Sequence, residues 1–521
     1  MGLADFQLWG DLCRHQASRF GEKTAFINAD GAATSFVGFD RRVNQLNNAL
    51  KCLGLEKNDR VAVLSKNRTE YVEIFGIAKT GLITVPLNWR LTSEELLRVL
   101  EHCQPKVIVV DEQHLALLNK IKDQLPFVNF FVLYGEETEG WVSYEQLLSE
   151  GNSVEPACTH QLNPDDIICL TYTSGTTGSP KGVGITHRGI LGNARTSAEI
   201  VLKLTPEDRT LAAMPFFHVG GMWYHLHASY AAGCTSIIMS GFDPGLVLKN
   251  METYSITNVH LVPTMIGTLL ENPEISTKDL SKLRLIFYAA SSIPVELLKR
   301  ALATFKDCNF VQSYGSTEAG MLTNLSPDDH IRAIENKEEY LLSSCGRAAG
   351  ENKLRIVDDS GASLPVRSVG EIEINGPSMM SRYWNNPEAT SKVMHGGWLK
   401  SGDLGYLDAN GYLYLVDRKN DMIVTGGENV YPSEVEEVLY SDPAIYQASV
   451  FGIPDPLWVE KVVAVVVLKD GCETTPEAII QRAKQHLAGY KCPKEVFIKD
   501  QLPMNAVGKI LKKDLKQSYS K

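Results

Sequence analysis

Residues 173–182 read Thr173-Ser174-Gly175-Thr176-Thr177-Gly178-Ser179-Pro180-Lys181-Gly182, and they follow the apolar run Ile167-Ile168-Cys169-Leu170. The stretch places hydroxyls, glycines and a lysine directly after a predicted buried strand. Glycine lets backbone N–H groups wrap an anion, and hydroxyl and ammonium groups add further donors. A Ser/Gly surface loop is the commoner origin of a glycine-rich stretch. The density of hydroxyls and the closing Pro-Lys-Gly instead favour a loop that binds polyphosphate.

This stretch differs from the loop of the P-loop nucleotide hydrolases. That loop ends in Gly-Lys followed by Ser or Thr, whereas here Pro180 precedes Lys181 and Gly182 follows it. The sequence therefore predicts a phosphate site of another kind.

Length and composition indicate a globular protein of more than one domain. At 521 residues the chain is too long for one compact core, and its 44% hydrophobic and 22% charged residues are ordinary for a soluble protein. No apolar run approaches the roughly 18 to 20 residues of a membrane span, and Val462–Leu468 is predicted to be a buried strand. The start of the chain lacks the pattern of a secretory signal, and the cysteines are scattered singly, so we expect a cytoplasmic protein.

The charge distribution argues against nucleic acid as the main partner, since the net charge is −11. The segment 490–521 is the exception, with eight lysines against three acidic residues. Such a basic tail is usually a solvated helix end, and we expect at most weak contact with a membrane surface. A monomer or a homodimer is expected.

Strand and helix patterns alternate through the first four hundred residues. Val61–Leu64 and Val107–Val110 are predicted to be buried strands, and Thr92–Glu95 forms a capping box that opens a helix between them. This alternation predicts a largely parallel, doubly wound α/β body.

The pattern changes beyond Gly370 to short alternating segments. Glu371–Ile374 and Tyr412–Val416 are predicted to be antiparallel hairpin strands. The polar cluster Asp417–Asp421 marks the best boundary, which gives domains 1–418 and 419–521. In the second of these, Ser433 is expected to cap a helix.

Further motifs follow the loop in a fixed order along the chain. They are Ser313-Tyr314-Gly315-Ser316-Thr317-Glu318, Ser401-Gly402-Asp403-Leu404-Gly405, Asp417-Arg418, Gly426-Gly427-Glu428-Asn429-Val430-Tyr431-Pro432 and Asn505-Ala506-Val507-Gly508-Lys509-Ile510-Leu511. Taken singly, each is weak: a capped turn, an Asp-Leu-Gly turn, a surface arginine or a solvated lysine would explain it. Because all these motifs occur together with the loop, the chain resembles the acyl-adenylate-forming superfamily. This superfamily includes acyl-CoA synthetases, aryl-CoA ligases, firefly luciferase and peptide-synthetase adenylation domains.

The resemblance covers nearly the whole chain and implies an α/β fold. A large N-terminal part would consist of two doubly wound α/β lobes and a β-barrel, followed by a small mobile α+β lid. It also implies that ATP and CoA are co-substrates and that Mg²⁺ is the metal cofactor.

The resemblance assigns the nucleotide site. Tyr314 would stack on adenine, Thr317 would bond the α-phosphate, Asp403 and Arg418 would hold the ribose, and Glu318 would ligate Mg²⁺. The implied ATP or AMP contacts are Thr173, Ser174, Gly175, Thr176, Thr177, Gly178, Lys181, Tyr314, Thr317, Asp403 and Arg418, with Thr173 also assigned to the metal.

The lid residues are assigned in the same way. Lys509 would bridge the acyl carboxylate and the α-phosphate, acting with Thr317 and Glu318 in catalysis, and Asn420 would be the hinge. The implied CoA contacts are Gly426, Gly427, Tyr490 and Lys494. Cys492 stands where some relatives place an arginine on CoA, which weakens the assignment of Tyr490 and Lys494.

The acyl side of the site falls in Met214–Gly221. His218 resembles the family's aromatic gate between the carboxylate and thiol channels, although a lone histidine in an apolar run is more often a core residue. The implied substrate contacts are His218, Gly220, Gly221, Tyr288, Ala289 and Ala290. Relatives commonly show Tyr-Gly-Gly-Ala-Pro where this chain has 288–292, so the added Cβ atoms would narrow the pocket. The Gly220-Gly221 pair would open it beside His218.

The predicted function is an ATP-dependent acyl-CoA ligase that passes through acyl-AMP. A medium- or long-chain fatty acid is the favoured substrate, because the pocket-side residues are apolar or small: Val219, Gly220, Met222, Met321 and Leu322. Aromatic acids fit nearly as well. The alternatives are a ligase that loads a carrier protein, a luciferase relative, and a catalytically silent nucleotide- or lipid-binding protein.

Overall fold

The computed structural model describes residues 2–157, 161–173, 180–291, 293–419, 421–425, 428–456, 458–504 and 510–520, with Arg418 described by its backbone. Among these residues, no helix has both the length and the apolar character needed to cross a membrane.

The elements of the N-terminal third follow the predicted alternation. The strands are β1 (Thr24–Ile27), β2 (Ala33–Ser35), β3 (Arg60–Leu64), β4 (Ile83–Pro86), β5 (Val107–Asp111), β6 (Phe130–Tyr134) and β7 (Val142–Ser143). The helices are α1 (Trp9–Phe20), α2 (Phe36–Cys52), α3 (Thr69–Phe75), α4 (Ser93–Cys103), α5 (Leu115–Asn119) and α6 (Tyr144–Glu150).

The middle of the chain continues in the same manner. The strands are β8 (Ile167–Thr173), β9 (Lys181–Thr186), β10 (Arg209–Ala212), β11 (Thr235–Ile238), β12 (Asn258–Leu261), β13 (Leu285–Tyr288) and β14 (Asn309–Gln312). The helices are α7 (His187–Arg195), α8 (His227–Ala232), α9 (Pro244–Thr253), α10 (Pro263–Glu271) and α11 (Val295–Thr304), and π-helical segments cover Thr196–Val201 and Gly220–Leu226.

Short strands then dominate up to Arg418. They are β15 (Gly315–Ser316), β16 (Gly320–Met321), β17 (Thr323–Asn324), β18 (Arg347–Ala348), β19 (Lys353–Val357), β20 (Gly370–Asn375), β21 (Arg382–Tyr383), β22 (Met394–His395), β23 (Trp398–Leu407) and β24 (Leu413–Arg418). Helices α12 (Pro327–Glu335) and α13 (Pro387–Val393) lie among them.

The C-terminal part has its own strands and helices. They are β25 (Ile423–Thr425), β26 (Glu428–Val430), β27 (Ile445–Asp455), β28 (Val459–Leu468) and β29 (Glu495–Ile498), with α14 (Pro432–Tyr440), α15 (Pro476–Ala483) and α16 (Lys512–Tyr519).

Four large sheets organise these elements. Two have parallel centres and orders β14-β13-β12-β10-β11-β1-β2 and β21-β9-β8-β4-β3-β5-β6-β7. The third joins β19, β20, β22, β23 and β24 in antiparallel fashion, and the fourth joins β25 to β29. The third sheet ends at Arg418 and the fourth begins at Ile423, on either side of the predicted boundary. The α/β fold class predicted from the sequence is confirmed.

Local signals explain several boundaries. Thr92 forms the predicted capping box with Glu95 and starts α4, and Asp243 accepts a hydrogen bond from the Leu246 N–H ahead of α9. The expectation for Ser433 was wrong. Helix α14 begins at Pro432 without a side-chain cap, while the Ser433 N–H donates to Asp417 Oδ2 at 2.9 Å and its hydroxyl donates to the Val416 carbonyl.

Candidate active site

The predicted phosphate loop connects two antiparallel strands. Thr173 ends β8 and stands opposite Lys181, the first residue of β9. The residues between them that were assigned to ATP, Ser174 to Gly178, lie outside the described residues. Gly182 is needed for close packing, because a Cβ there would stand 3.0 Å from Tyr172 Cζ and 3.3 Å from Trp384 Cβ. The loop is therefore anchored at both ends by paired strands.

The second motif forms a tight turn between β15 and β16. A Cβ on Gly315 would stand 2.3 Å from the Gly320 carbonyl oxygen, and Gly320 has φ +76°. Thr317 and Glu318 lie at this turn, both half-buried. The Glu318 carbonyl accepts the Met380 N–H at 2.7 Å, and its Oε1 accepts the Tyr383 hydroxyl at 3.0 Å.

The residues assigned to adenine and ribose are in contact with each other. The Tyr314 hydroxyl donates to Asp403 Oδ2 at 2.6 Å, and both residues are buried. Burial, reinforced by the Asp403 charge, raises the pKa of Tyr314 well above its usual value, so the phenol keeps its proton. Asp403 pairs in register with Arg418 across β23 and β24. The backbone thus brings the two proposed ribose residues side by side.

His218 is held in place by hydrogen bonds from its own segment of the chain. The Gly220 N–H donates to His218 Nδ1 at 3.1 Å, and the Met222 N–H donates to the His218 carbonyl. In the neutral ring this leaves the proton on Nε2. Asn67, which follows β3, holds the same segment in place. Its side chain donates to the Met214 carbonyl and accepts the Phe216 N–H, each at 2.8 Å.

The two glycines beside His218 do not leave open space, which corrects the expectation that the Gly220-Gly221 pair opens the pocket there. A Cβ on Gly220 would meet His260 Cε1 at 3.1 Å, and a Cβ on Gly221 would meet the Pro215 carbonyl oxygen at 2.5 Å. The His260 ring donates from Nδ1 to the Gly220 carbonyl and stacks on Phe287. Burial lowers the pKa of His260 well below its usual value, so it stays neutral.

The segment 288–290 is placed in part as expected. Tyr288 is buried in the core, and its hydroxyl bonds His330 Nε2 at 2.9 Å, so only its backbone remains for a pocket. Ala289 is buried, whereas Ala290 is exposed and has φ +76°.

The lid residues are described only in part. Asn420, Gly426, Gly427 and Lys509 lie outside the described residues, as does the Arg418 side chain. Tyr490 is exposed, and Lys494 donates to the Gly489 carbonyl and stands 5.8 Å from the centre of the Trp458 ring. Cys492 is buried in the C-terminal core, so its side chain is not on the surface beside them.

Two tyrosines were missed by the sequence reasoning. Tyr383 bonds Glu318, and Tyr224, in the second π-helical segment, donates to the Ser316 carbonyl at 2.8 Å. Each partner is more than sixty residues away in the chain, so neither periodicity nor spacing could indicate these contacts.

Comparisons with known proteins agree with this architecture. Residues 13–384 match the model of the AMP-binding enzyme family, and residues 434–509 match the AMP-binding enzyme C-terminal domain. An indoleacetate–CoA ligase from Aromatoleum aromaticum is 35% identical, covering 91% of each chain. The fatty acid–[acyl-carrier-protein] ligase ScoC of Streptomyces coeruleorubidus is 33% identical over 95% of this chain and 93% of its own. The anthranilate CoA ligase AuaEII, solved with anthranoyl-AMP, is 27% identical over 99% of both chains, with a TM-score of 0.89.

The chain therefore belongs to the AMP-binding enzyme family, whose members form acyl adenylates. Within that family it is an AMP-forming acid–CoA ligase.

Proposed function

We propose that this ligase activates a compact acid with an aromatic ring, first to the acyl adenylate and then to the CoA thioester. This substrate differs from the fatty acid that the sequence analysis favoured and is the aromatic acid that it gave as the alternative. The comparisons include relatives named for both classes, so the proposal rests on the packing beside the adenylate turn.

The observation that carries the proposal is the position of Tyr224. Its ring is buried, its hydroxyl bonds the Ser316 carbonyl, and a Cβ on Gly315 would stand 3.1 Å from its oxygen. The side chains that would line a longer channel are packed in the core beside it, since Met222, Met321 and Leu322 are all 0% exposed. A flat ring needs less depth than a long alkyl chain, and this packing supports the shorter substrate.

The described residues suit Mg²⁺ bound together with a triphosphate. Glu318 is a half-buried carboxylate, and the described part of the chain places no basic group within ion-pair distance of it. Mg²⁺ at phosphate sites takes one or two carboxylates and completes its shell with phosphate oxygens and water. Glu318 would hold the ion, with Thr173 at the end of β8 as a second oxygen ligand. When bound, Mg²⁺ would neutralise charge on the phosphates.

The remaining roles are proposed from the resemblance. Tyr314, Thr317, Asp403, Arg418 and Lys181 would orient the nucleotide, together with the loop 174–178. Lys509 would offset negative charge between the carboxylate and the α-phosphate as pyrophosphate leaves. The lid would then turn about Asn420 and present Gly426 and Gly427, with Tyr490 and Lys494, to CoA.

The direct test is AMP formation from ATP with and without CoA, across benzoate-, cinnamate- and indole-type acids and straight-chain acids of increasing length. The proposal expects CoA-dependent AMP with the aromatic acids and at least a tenfold lower kcat/KM for long-chain acids. A long-chain preference would overturn the substrate proposal. Pyrophosphate exchange without any turnover of CoA would point to a carrier-protein acceptor instead.

Replacing Tyr224 tests the observation itself. Tyr224→Ala removes the ring that closes the space beside Gly315, so kcat/KM for long-chain acids relative to aromatic acids should rise about tenfold. The matched control is Tyr224→Phe, which removes only the bond to the Ser316 carbonyl and should keep the aromatic preference. An unchanged ratio in Tyr224→Ala would show that this side chain does not limit the acyl pocket.

A further inference from the structure

The segment 380–384 contacts both halves of the proposed phosphate site. Its backbone pairs with β9 just after the loop, where the Ser381 N–H donates to the Gly184 carbonyl at 2.9 Å and the Trp384 N–H donates to the Gly182 carbonyl at 2.7 Å. At its other end the Met380 N–H donates to the Glu318 carbonyl. One short segment therefore fixes the distance between the loop strand and the adenylate turn.

Tyr383 adds a side-chain contact to this backbone link. Its hydroxyl donates to Glu318 Oε1 at 3.0 Å, and its ring centre lies 5.3 Å from Lys181 Nζ. The residue is 6% exposed, so its hydroxyl is held inside the protein against Glu318.

We propose that Tyr383 is a positioning residue, which orients the Glu318 carboxylate for the divalent cation that accompanies ATP. The inference rests on the proposed function, because it takes the metal role of Glu318 from there. It adds a residue to which neither the motifs nor the resemblance assigned any role.

The chemistry of a carboxylate ligand supports this role. A carboxylate on a single glutamate side chain can rotate, and a hydrogen bond to one oxygen fixes the direction of the other. The phenol occupies Oε1, while the described residues supply no hydrogen bond to Oε2. Partners that bond a metal ligand from outside commonly change metal affinity by about 10- to 100-fold when they are removed.

The test is direct binding of Mn²⁺, as a spectroscopic substitute for Mg²⁺, followed by electron paramagnetic resonance in the presence of a non-hydrolysable ATP analogue. No acid, CoA or turnover is needed. Tyr383→Phe keeps the ring on Lys181 and removes only the hydroxyl, and we expect the Kd of Mn²⁺ to rise about tenfold. The matched control is Tyr134→Phe, since Tyr134 is also buried on a strand and donates to a backbone carbonyl, that of Glu70. Its Mn²⁺ affinity should be unchanged.

Two further variants separate the inference from the function on which it rests. Glu318→Gln should weaken Mn²⁺ binding strongly, and Tyr383→Phe combined with Glu318→Gln should bind no more weakly than Glu318→Gln alone. If Glu318→Gln weakens binding but Tyr383→Phe stays within twofold of the wild type, the positioning role is wrong and the proposed metal site stands. If Glu318→Gln also binds Mn²⁺ with the affinity of the wild type, both the metal role of Glu318 and the positioning role of Tyr383 are wrong.

Discussion

Ala290 holds a backbone conformation that favours glycine. Its φ of +76° lies in the left-handed region, which costs an ordinary L-residue about 1 to 2 kcal/mol. The motif that the resemblance implies has glycine at this position, beside the proposed adenine and acyl pockets. Strain of this kind is often retained where a binding site needs the geometry.

Ala290→Gly should therefore stabilise the protein slightly. Relief of the left-handed strain outweighs the added freedom of glycine in the unfolded chain, and we expect a gain of about 0.5 to 1 kcal/mol. The measurement is the thermal unfolding midpoint. The matched control is Ala289→Gly, which removes a buried methyl group where φ is not positive and should lower the midpoint. If both substitutions lower it, Ala290 is not strained.

The sequence motifs predicted candidate residues that belong to continuous signatures, and they gave no indication of side chains that reach the site only through long-range contacts. Tyr314 and Asp403 were predicted from two separate motifs, and the structure joins them by a hydrogen bond. Tyr383 carries no local signal, because its hydrogen-bond partner Glu318 lies 65 residues earlier. Only the packed fold brings such a pair together.

At the level of elements, a partly buried ion pair connects α14 to α16, with the Lys512 and Glu436 side chains 24% and 17% exposed. Lys512 Nζ lies 2.8 Å from Glu436 Oε1, and the same carboxylate oxygen accepts the Val450 N–H from β27. Burial raises the pKa of Glu436, and the Glu436 and Asp417 charges raise that of Lys512 against the opposing effect of its own burial. The C-terminal helix is therefore attached to its domain by a pair of charges that water reaches only in part.

Removing only the positive charge of Lys512 should destabilise the C-terminal part. Lys512→Met leaves the partly buried Glu436 carboxylate without its partner, and we expect a loss of about 1 to 3 kcal/mol in the unfolding free energy of the C-terminal part, between the values for an exposed and a fully buried pair. Lys512→Met combined with Glu436→Leu should recover most of this loss. The control is Lys516, on the same helix, which pairs with Glu460 of β28: its side chain is 45% exposed, so Lys516→Met should cost less than about 1 kcal/mol. Urea unfolding followed by a probe in this domain gives the values, and equal costs for both lysines would contradict the argument.

The elements themselves were predictable where local chemistry determines them. The capping box at Thr92 predicted α4, whose residues repeat with helical spacing. The π-helical segment Gly220–Leu226 had no such signal, because its geometry depends on the backbone packing of Gly221 against Pro215.

Across the whole molecule, buried histidines remain uncharged in the folded state. Burial lowers the pKa of His187, His225 and His330 to about 4, that of His227 to about 3, and that of His260 well below its usual value. These groups take up protons when the chain unfolds in mild acid. Stability contributed by a neutral buried histidine is present above the unfolded pKa of about 6.5 and is lost progressively as the pH falls toward the folded pKa.

His227→Phe should lower by about one the number of protons that the chain takes up when it unfolds in mild acid. His227 lies between Trp9 and Trp223, and neither ring nitrogen has a partner among the described residues. The wild type should lose about 1.4 kcal/mol more per pH unit than the variant between pH 6 and pH 4. Unfolding free energies at several pH values measure the difference in slope. Replacement of the exposed His486 by Gln is the control and should leave the slope unchanged, and an unchanged slope in His227→Phe would show that His227 is not neutral when folded.

The pairing of Asp403 with Arg418 has a consequence for how this enzyme can be divided. Strand β24 carries the second proposed ribose residue as its last member, and the next strand, β25, already belongs to a different sheet. A cut after Arg418 therefore keeps the paired backbone of the proposed ribose site on one fragment and all of β25 to β29 on the other. The boundary after Arg418 is therefore an exchange point at which a C-terminal part from another family member could be grafted with both members of the proposed ribose pair left on one fragment, provided that the graft keeps the contacts of Ser433 with Val416 and Asp417.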